Sequence, residues 1–111
     1  MKNFIQAGEM ITATAPTGGI LSGAGLLAGS LFGVAATSQA EGSPVEIATT
    51  GVFDLPKVSA NTFAFGAKVY WDATAKNCTS TASGNTLIGA AVAAAGNGAT
   101  TVRVRLNGAV N

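Results

Sequence analysis

The sequence predicts an all-β fold, a single small β-sandwich or jelly-roll-like barrel with an extended N-terminal arm. Residues 101–106 alternate apolar side chains with Arg103 and Arg105, which is the period of two of a strand with one buried face. Other short runs rich in Val, Ile and Thr are separated by Gly-containing turns. No segment shows an amphipathic helical period beyond two turns.

The first part of the β domain is predicted to hold a strand, a loop and a bent strand region. Residues 9–15 alternate in polarity and read as a strand, and residues 16–19 supply the Pro and Gly of a turn. Residues 25–36 read as a strand pair or as one long strand with a bend. Gly29 and Gly33 would provide the bend or a close approach of two backbones.

The second part of the β domain adds several short strands. Residues 44–55 are rich in Val, Ile, Thr and Phe, and Gly51 is predicted to form a bulge within them. Residues 68–71 form a further strand, with residues 78–81 as a hairpin partner, and residues 87–92 continue the pattern. With the alternating run near the C-terminus, about seven short strands result, as in a sandwich or barrel.

The length of 111 residues suits one domain with one core, which we assign to residues 9–111, with residues 1–8 as the arm. Charged residues make up 10% of the chain, against about 25% in an ordinary soluble domain. The surface must therefore be built largely from neutral polar and small residues, and we expect much of it to be covered by partners. The alternative is an atypical monomeric domain.

The sequence offers no catalytic, cofactor or metal site. There is no His to serve as the base of a catalytic triad or as a transition-metal ligand, and the single Cys78 cannot form an internal disulfide. A phosphate-binding loop needs Ser or Thr after Gly-Lys, whereas Lys68 follows Ala67 and precedes Val69. The net charge of +1 without a basic run also argues against nucleic-acid binding.

An uncharged stretch between Glu9 and Glu41 invites interpretation as an export or membrane segment. Residues 38–40 (SQA) even resemble a small-residue cleavage site. However, the region ahead of the apolar run is long for a signal peptide and contains Glu9. The run is also rich in Gly, and it has too few Leu and Ile residues to offset the low helix propensity of Gly. This composition disfavours a membrane span. We therefore expect no membrane association.

Several candidate partner-binding residues lie outside any chemical motif. The arm begins at Met1 and carries Phe4 and Ile5, which would either dock on their own domain or lie against a neighbouring subunit. Tyr70 and Trp71 are adjacent in a predicted strand and so point to opposite faces. One should pack in the core and the other should contact a subunit, and we take Trp71 as the candidate contact.

Arg103 and Arg105 share one face of the last predicted strand and complete the set of candidate partner-binding residues. One interpretation is that they keep an exposed edge strand soluble. The other is that they anchor acidic groups of a partner, because Arg is enriched at interfaces and binds carboxylates with two parallel hydrogen bonds.

Five segments, in this order along the chain, resemble the family of small phage proteins regarded as capsid cement, or decoration, proteins. They are residues 1–6 (MKNFIQ), 29–35 (GSLFGVA), 50–57 (TGVFDLPK), 66–72 (GAKVYWD) and 102–106 (VRVRL). The resemblance covers nearly the whole chain, although none of the segments is a chemical motif. Members have carried the label of a RecA-like recombinase, which the missing phosphate loop contradicts.

The resemblance implies a β-sandwich or jelly-roll-like barrel that sits on the outside of a capsid and joins neighbouring major capsid subunits as a homodimer or homotrimer. It implies no enzymatic activity and no cofactor. We therefore expect synthesis in the host cytoplasm and a final location on the outer capsid surface of the virion. The alternative function is a small β-barrel module that binds nucleic acid or glycan.

Overall fold

A computed structural model describes residues 10–29 and 31–107 of the protein. These residues form nine strands and no helix, which confirms the predicted all-β class. The strands are β1 (Met10–Thr14), β2 (Gly25–Ala28), β3 (Leu31–Ala35), β4 (Pro44–Ala48), β5 (Thr50–Pro56), β6 (Lys68–Asp72), β7 (Asn77–Thr79), β8 (Thr86–Ala91) and β9 (Thr101–Asn107). The predicted arm, residues 1–8, lies outside the described residues.

The strands form two curled antiparallel sheets, consistent with the predicted sandwich or barrel. One sheet has four strands in the order β1-β4-β3-β2, and the other has five in the order β5-β9-β8-β6-β7. The chain passes from the first sheet to the second at Thr49, a buried residue between β4 and β5. The run predicted over residues 44–55 is therefore two strands of different sheets.

The strand pairing tests the bend predicted in residues 25–36 and the bulge predicted at Gly51. Residues 25–36 form a strand pair, since β2 and β3 are antiparallel neighbours joined through Gly29. The predicted bulge at Gly51 is wrong, because β5 pairs with β9 without interruption from Thr50 to Pro56. The register shift instead lies between Val69 and Tyr70 in β6, where the chain pairs with β8.

Two hydrophobic clusters replace the single core that the length suggested. β3 is buried on both faces and belongs to both clusters. Phe32 faces the five-stranded sheet, where its ring lies 4.9 Å from that of Trp71. Ala35, on the opposite face of β3, packs in the second cluster with Val45 and Ile47. The four-stranded sheet thus encloses a small core of its own and also covers the larger one.

The five-stranded sheet curls until its two outer strands meet. Lys57, directly after β5, forms a parallel bridge with Cys78 in β7, and the Val58 N–H donates to the Cys78 carbonyl oxygen at 2.9 Å. The inner face therefore encloses the larger core, while the outer face is left as one continuous curved surface. β9 lies between β5 and β8 and is an interior strand of this sheet.

Candidate partner-binding surface

The outer face of the five-stranded sheet carries both predicted arginines. Along β9, buried and exposed residues alternate strictly: Val102, Val104 and Leu106 point inward, and the residues between them point outward. This confirms the predicted strand and its buried face. The interpretation of Arg103 and Arg105 as protection of an edge strand is wrong, because β9 has a paired neighbour on each side.

Arg103 is already paired within the chain. It lies directly opposite Asp54 of β5, with Nε at 3.0 Å from Oδ1 and Nη2 at 3.3 Å from Oδ2. The hydrogen bond from Arg103 holds the pKa of Asp54 below its usual range, and the same bond raises the pKa of Arg103. Both side chains remain about half exposed, at 56% and 53%, so the pair neutralises charge and adds little stability.

Arg105 lies two residues further along the same face, in a different environment. It pairs in register with Val52 of β5 and with Ala90 of β8, and Ala90 in turn pairs with Lys68 of β6. Val52, Arg105, Ala90 and Lys68 thus form one row across four strands, which we call the Arg105 row. Within the described part of the chain, neither cation of this row has a side-chain hydrogen bond or ion pair.

The other described acidic groups are bound locally and leave the Arg105 row uncompensated. Glu41 accepts a hydrogen bond from the Gly18 N–H, and Glu46 accepts one from the Thr12 hydroxyl. The Asp72 carboxylate accepts hydrogen bonds from two backbone N–H groups in the turn that follows β6. On the outer face of the five-stranded sheet, the Arg105 row therefore holds two cations without an ion-pair partner among the described residues, beside the Arg103–Asp54 pair and the Asp72 carboxylate at the far end of β6.

Lys57 is a buried cation with a structural role. Its ammonium donates to three carbonyl oxygens in the loop after β5, at distances of 3.0, 3.2 and 2.6 Å, from Val58, Ser59 and Asn61. Charge-assisted bonds of this kind compensate for the burial of the ammonium and fix the loop. Lys57 is therefore occupied by its own loop and does not add to the partner-binding surface.

Trp71 is placed in the core, which corrects its assignment as a partner-binding residue. Its side chain is 2% exposed and packs against Phe32 between the two sheets. The adjacent Tyr70 is the outward member of the pair and is half-buried on the outer face. The two residues point to opposite faces as predicted, with Trp71 inside and Tyr70 outside. The arm candidates Met1, Phe4 and Ile5 lie outside the described residues.

Two strongly exposed apolar residues were missed by the sequence reasoning. Phe65 is 77% exposed in the turn before β6, and Leu21 is 73% exposed in the loop before β2. Phe63, two residues earlier, is buried, so Phe65 does not follow the period of two of a strand. The available signal for Phe65 was the turn glycine that follows it, Gly66.

An apolar groove of about 340 Å³ lies between the two sheets. Its walls come from the loop and strand at residues 20–27 on one side, and from β6 and its following turn on the other. Lining residues are Ile20, Leu21, Leu26, Leu27, Trp71 and Lys76. The groove contains one cationic side chain and no carboxylate among these residues, so it suits an apolar or aromatic group better than a polar ligand.

The described residues include few groups that could act as a nucleophile or bind a metal ion. Burial raises the pKa of the Cys78 thiol to about 12, so this cysteine is a protonated core residue and a poor nucleophile. Among the described residues there is no cluster of His, Cys, Asp and Glu that could hold a metal ion. Nor does the described part of the chain include a helix long and apolar enough to cross a membrane.

The sequence profile of a family described as phage cement protein matches residues 5–106, which takes in the strands of both sheets almost to the end of β9. No curated protein and no solved structure matches the chain.

Proposed function

The chain belongs to the phage cement protein family, and from that premise we propose that it binds the outer surface of the major capsid lattice and bridges neighbouring subunits. Membership of the family indicates a capsid-associated structural role. The observation that carries the proposal is the extent of the match, which spans residues 5–106 and so covers all of the described fold except its last residue.

The low charge of the surface supports the proposal that the partner is a protein. With 10% charged residues, most of the surface is neutral and loses little hydration energy when it is covered. On the curved outer face, the Arg105 row adds two cations that have no ion-pair partner in the described part of the chain. We propose that these cations bind carboxylate groups of the major capsid protein and fix the orientation of the bound copy, while neutral contacts supply most of the buried area.

Individually weak contacts stabilise a capsid when they are repeated across its lattice. Every equivalent position of a lattice offers the same site, and a symmetric homodimer or homotrimer that engages several capsid subunits at once gains from effective concentration. A protein that binds only the assembled shell stabilises that shell by mass action. We propose this bridging as the mechanism, without a catalytic step, a nucleic-acid ligand or a membrane partner.

The proposed location follows from the same mechanism. A protein that bridges capsid subunits from outside is made in the host cytoplasm and ends on the outer surface of the virion. Labelling intact particles with an antibody against the protein tests this arrangement, and we expect labelling without disruption of the shell. Labelling only after the shell is opened would contradict an outer position.

The direct test is co-sedimentation of the purified protein with expanded capsids that lack it. We expect saturable binding, with a stoichiometry that is a simple multiple of the capsid symmetry. Binding to double-stranded DNA and to glycan arrays, measured in parallel at several salt concentrations, serves as the comparison. Absence of capsid binding together with salt-sensitive DNA binding would contradict the proposal and favour a nucleic-acid module.

A further inference from the structure

The Phe65 turn, residues 64–67, holds an aromatic side chain out in solvent. The Ala67 N–H donates to the Ala64 carbonyl oxygen at 3.0 Å, and Gly66 has a φ of +84°. A positive φ at the third position is the geometry of a type II turn, which favours glycine there. Phe65 therefore occupies the second position of a tight turn, with its side chain 77% exposed.

This turn is anchored to the body of the protein. The Gly66 N–H donates to the Ala91 carbonyl oxygen at 2.7 Å, and the Ala91 N–H donates to the Ala67 carbonyl oxygen at 2.9 Å. Just before the turn, Phe63 and Ala95 exchange two further backbone hydrogen bonds, both of 2.9 Å. Phe65 is thus presented by a backbone that is already ordered, so burial of its ring against a partner would lose little conformational entropy.

The same molecule has a groove that suits a phenyl ring. The inter-sheet groove, of about 340 Å³, lies at the small end of the range of ligand pockets and can take one aromatic side chain. Its apolar walls, which include Ile20, Leu26 and Leu27, match the ring. Lys76 brings an ammonium to the lining, and a cation beside a phenyl ring is attracted to the face of the ring.

One chain cannot fill its own groove with its own Phe65. The Phe65 turn precedes the first residue of β6, whereas Ala73 and Lys76, which line the groove, follow its last residue. A strand rises about 3.3 Å per residue, so the five residues of β6 alone separate the two features by more than 10 Å. The aromatic side chain and the groove lie toward opposite ends of the same strand.

We infer that Phe65 of one copy inserts into the inter-sheet groove of a second copy. The contact is heterologous, because it joins two different surfaces of the same protein. Such contacts close into rings when the rotation between copies permits and otherwise extend into chains. Each copy in a ring gives one Phe65 and receives one, so exposed apolar groups at both ends of β6 become covered. The inference concerns self-association in solution and holds independently of capsid binding.

Sedimentation equilibrium of the full chain, with and without substitution of Phe65, tests the inference. We expect the wild type to sediment as an oligomer at micromolar concentration and Phe65→Ser to sediment as a monomer, with at least a tenfold weaker association. Met10→Ser removes an exposed apolar side chain of β1 that lies in neither the Phe65 turn nor the groove lining, and this control should associate like the wild type. Circular dichroism melting should show that all three proteins are folded.

Cysteine cross-linking identifies the contact directly. A chain with Ala64→Cys is mixed with a chain with Leu21→Cys, and oxidation is expected to yield a covalent dimer. Adding Phe65→Ser to the first chain should abolish that product. A monomeric wild type, or a Phe65→Ser protein that associates like the wild type, would overturn the inference. Loss of association on Phe4→Ser but not on Phe65→Ser would also overturn it, and would assign the groove to the N-terminal segment.

Discussion

At the scale of single residues, Gly89 is the position where a side chain is least tolerated. A Cβ atom there would lie 2.0 Å from the Arg105 carbonyl oxygen and 2.9 Å from its carbonyl carbon. Both are main-chain atoms of the paired strand β9 and cannot move away as a flexible side chain could. We therefore expect Gly89→Ala to lower the free energy of unfolding by about 3 kcal/mol, measured by urea denaturation.

Gly96→Ala is the matched control for that substitution. No heavy atom lies within 4 Å of the Cβ that it would introduce, and Gly96 is not one of the glycines with positive φ. We expect a change within about 0.5 kcal/mol. Equal effects of the two substitutions would show that the close approach of β8 and β9 is not the determining contact.

The buried thiol of Cys78 should make stability depend on pH in the alkaline range. Its pKa is raised to about 12 by burial, whereas a thiol in the unfolded chain ionises near 8.5. Above the unfolded pKa the unfolded state loses a proton that the folded state keeps, so stability falls as pH rises. Between pH 8 and pH 10 we expect a loss of about 2 kcal/mol, followed by urea denaturation.

Cys78→Ala isolates this effect, because the two proteins differ only at the thiol. The variant is expected to start from a lower stability, because a buried atom is lost, but to fall less steeply with pH by the amount attributed to the thiol. If wild type and Cys78→Ala have the same slope between pH 8 and pH 10, the thiol is not the titrating group.

The sequence could show which residues share a face, but not which of them are already paired. Alternation along β9 correctly placed Arg103 and Arg105 outward. That Arg103 meets Asp54 depends on the register between β5 and β9, strands far apart in the chain, and no local pattern encodes it. The same limit applies to Tyr70 and Trp71, where adjacency required opposite faces without saying which face was inside.

At the scale of elements, the difference between Arg105 and Arg103 gives a sharp test on capsid binding. Arg105→Gln removes an uncompensated cation from the Arg105 row, and we expect a loss of about tenfold in affinity for expanded capsids, with a weaker salt dependence. Quantitative co-sedimentation at two salt concentrations measures both effects.

The control is the double variant Arg103→Gln with Asp54→Asn, which removes a neighbouring ion pair and leaves the net charge unchanged. We expect its affinity to stay within about threefold of the wild type, because exposed pairs contribute little. If the double variant loses as much affinity as Arg105→Gln, the neutralised pair would be as important as the free cation, contrary to our interpretation.

Strands and their hairpin partners were predictable from the sequence, whereas pairing between strands far apart in the chain was not. Three predicted strands lie close to observed ones, because alternating side chains mark each strand and turn residues mark its ends. They are residues 68–71, 78–81 and 87–92. The run at residues 44–55 was read as one region because its composition does not change at Thr49. The break there comes from the chain leaving one sheet for the other, which is a tertiary event.

At the scale of the whole molecule, the division into two hydrophobic clusters was not foreseen. Length and composition determine how much apolar surface the chain has, but not how that surface is divided between clusters. β3 is buried on both faces because it lies between the two clusters. The same arrangement leaves the inter-sheet groove and the Phe65 turn toward opposite ends of β6. The Phe65 turn directly precedes Lys68 of the Arg105 row, so the proposed self-association and the proposed capsid binding would use neighbouring but distinct residues.

Because the two proposed contacts use distinct residues, they predict how decorated shells respond to heat. Binding to the assembled shell alone stabilises each site by about 2.7 kcal/mol at a free concentration one hundred times Kd, so we expect wild-type protein to raise the opening temperature of expanded capsids. Phe65→Ser retains the Arg105 row but loses the link between copies. At equal occupancy, this variant should raise the opening temperature less than the wild type does. It should also need a higher concentration to reach that occupancy, because its copies no longer bind the capsid as a linked oligomer. Differential scanning fluorimetry of capsids at matched occupancy measures both quantities. Equal protection by the two proteins would show that single copies stabilise the shell and that bridging through linked copies is not the mechanism.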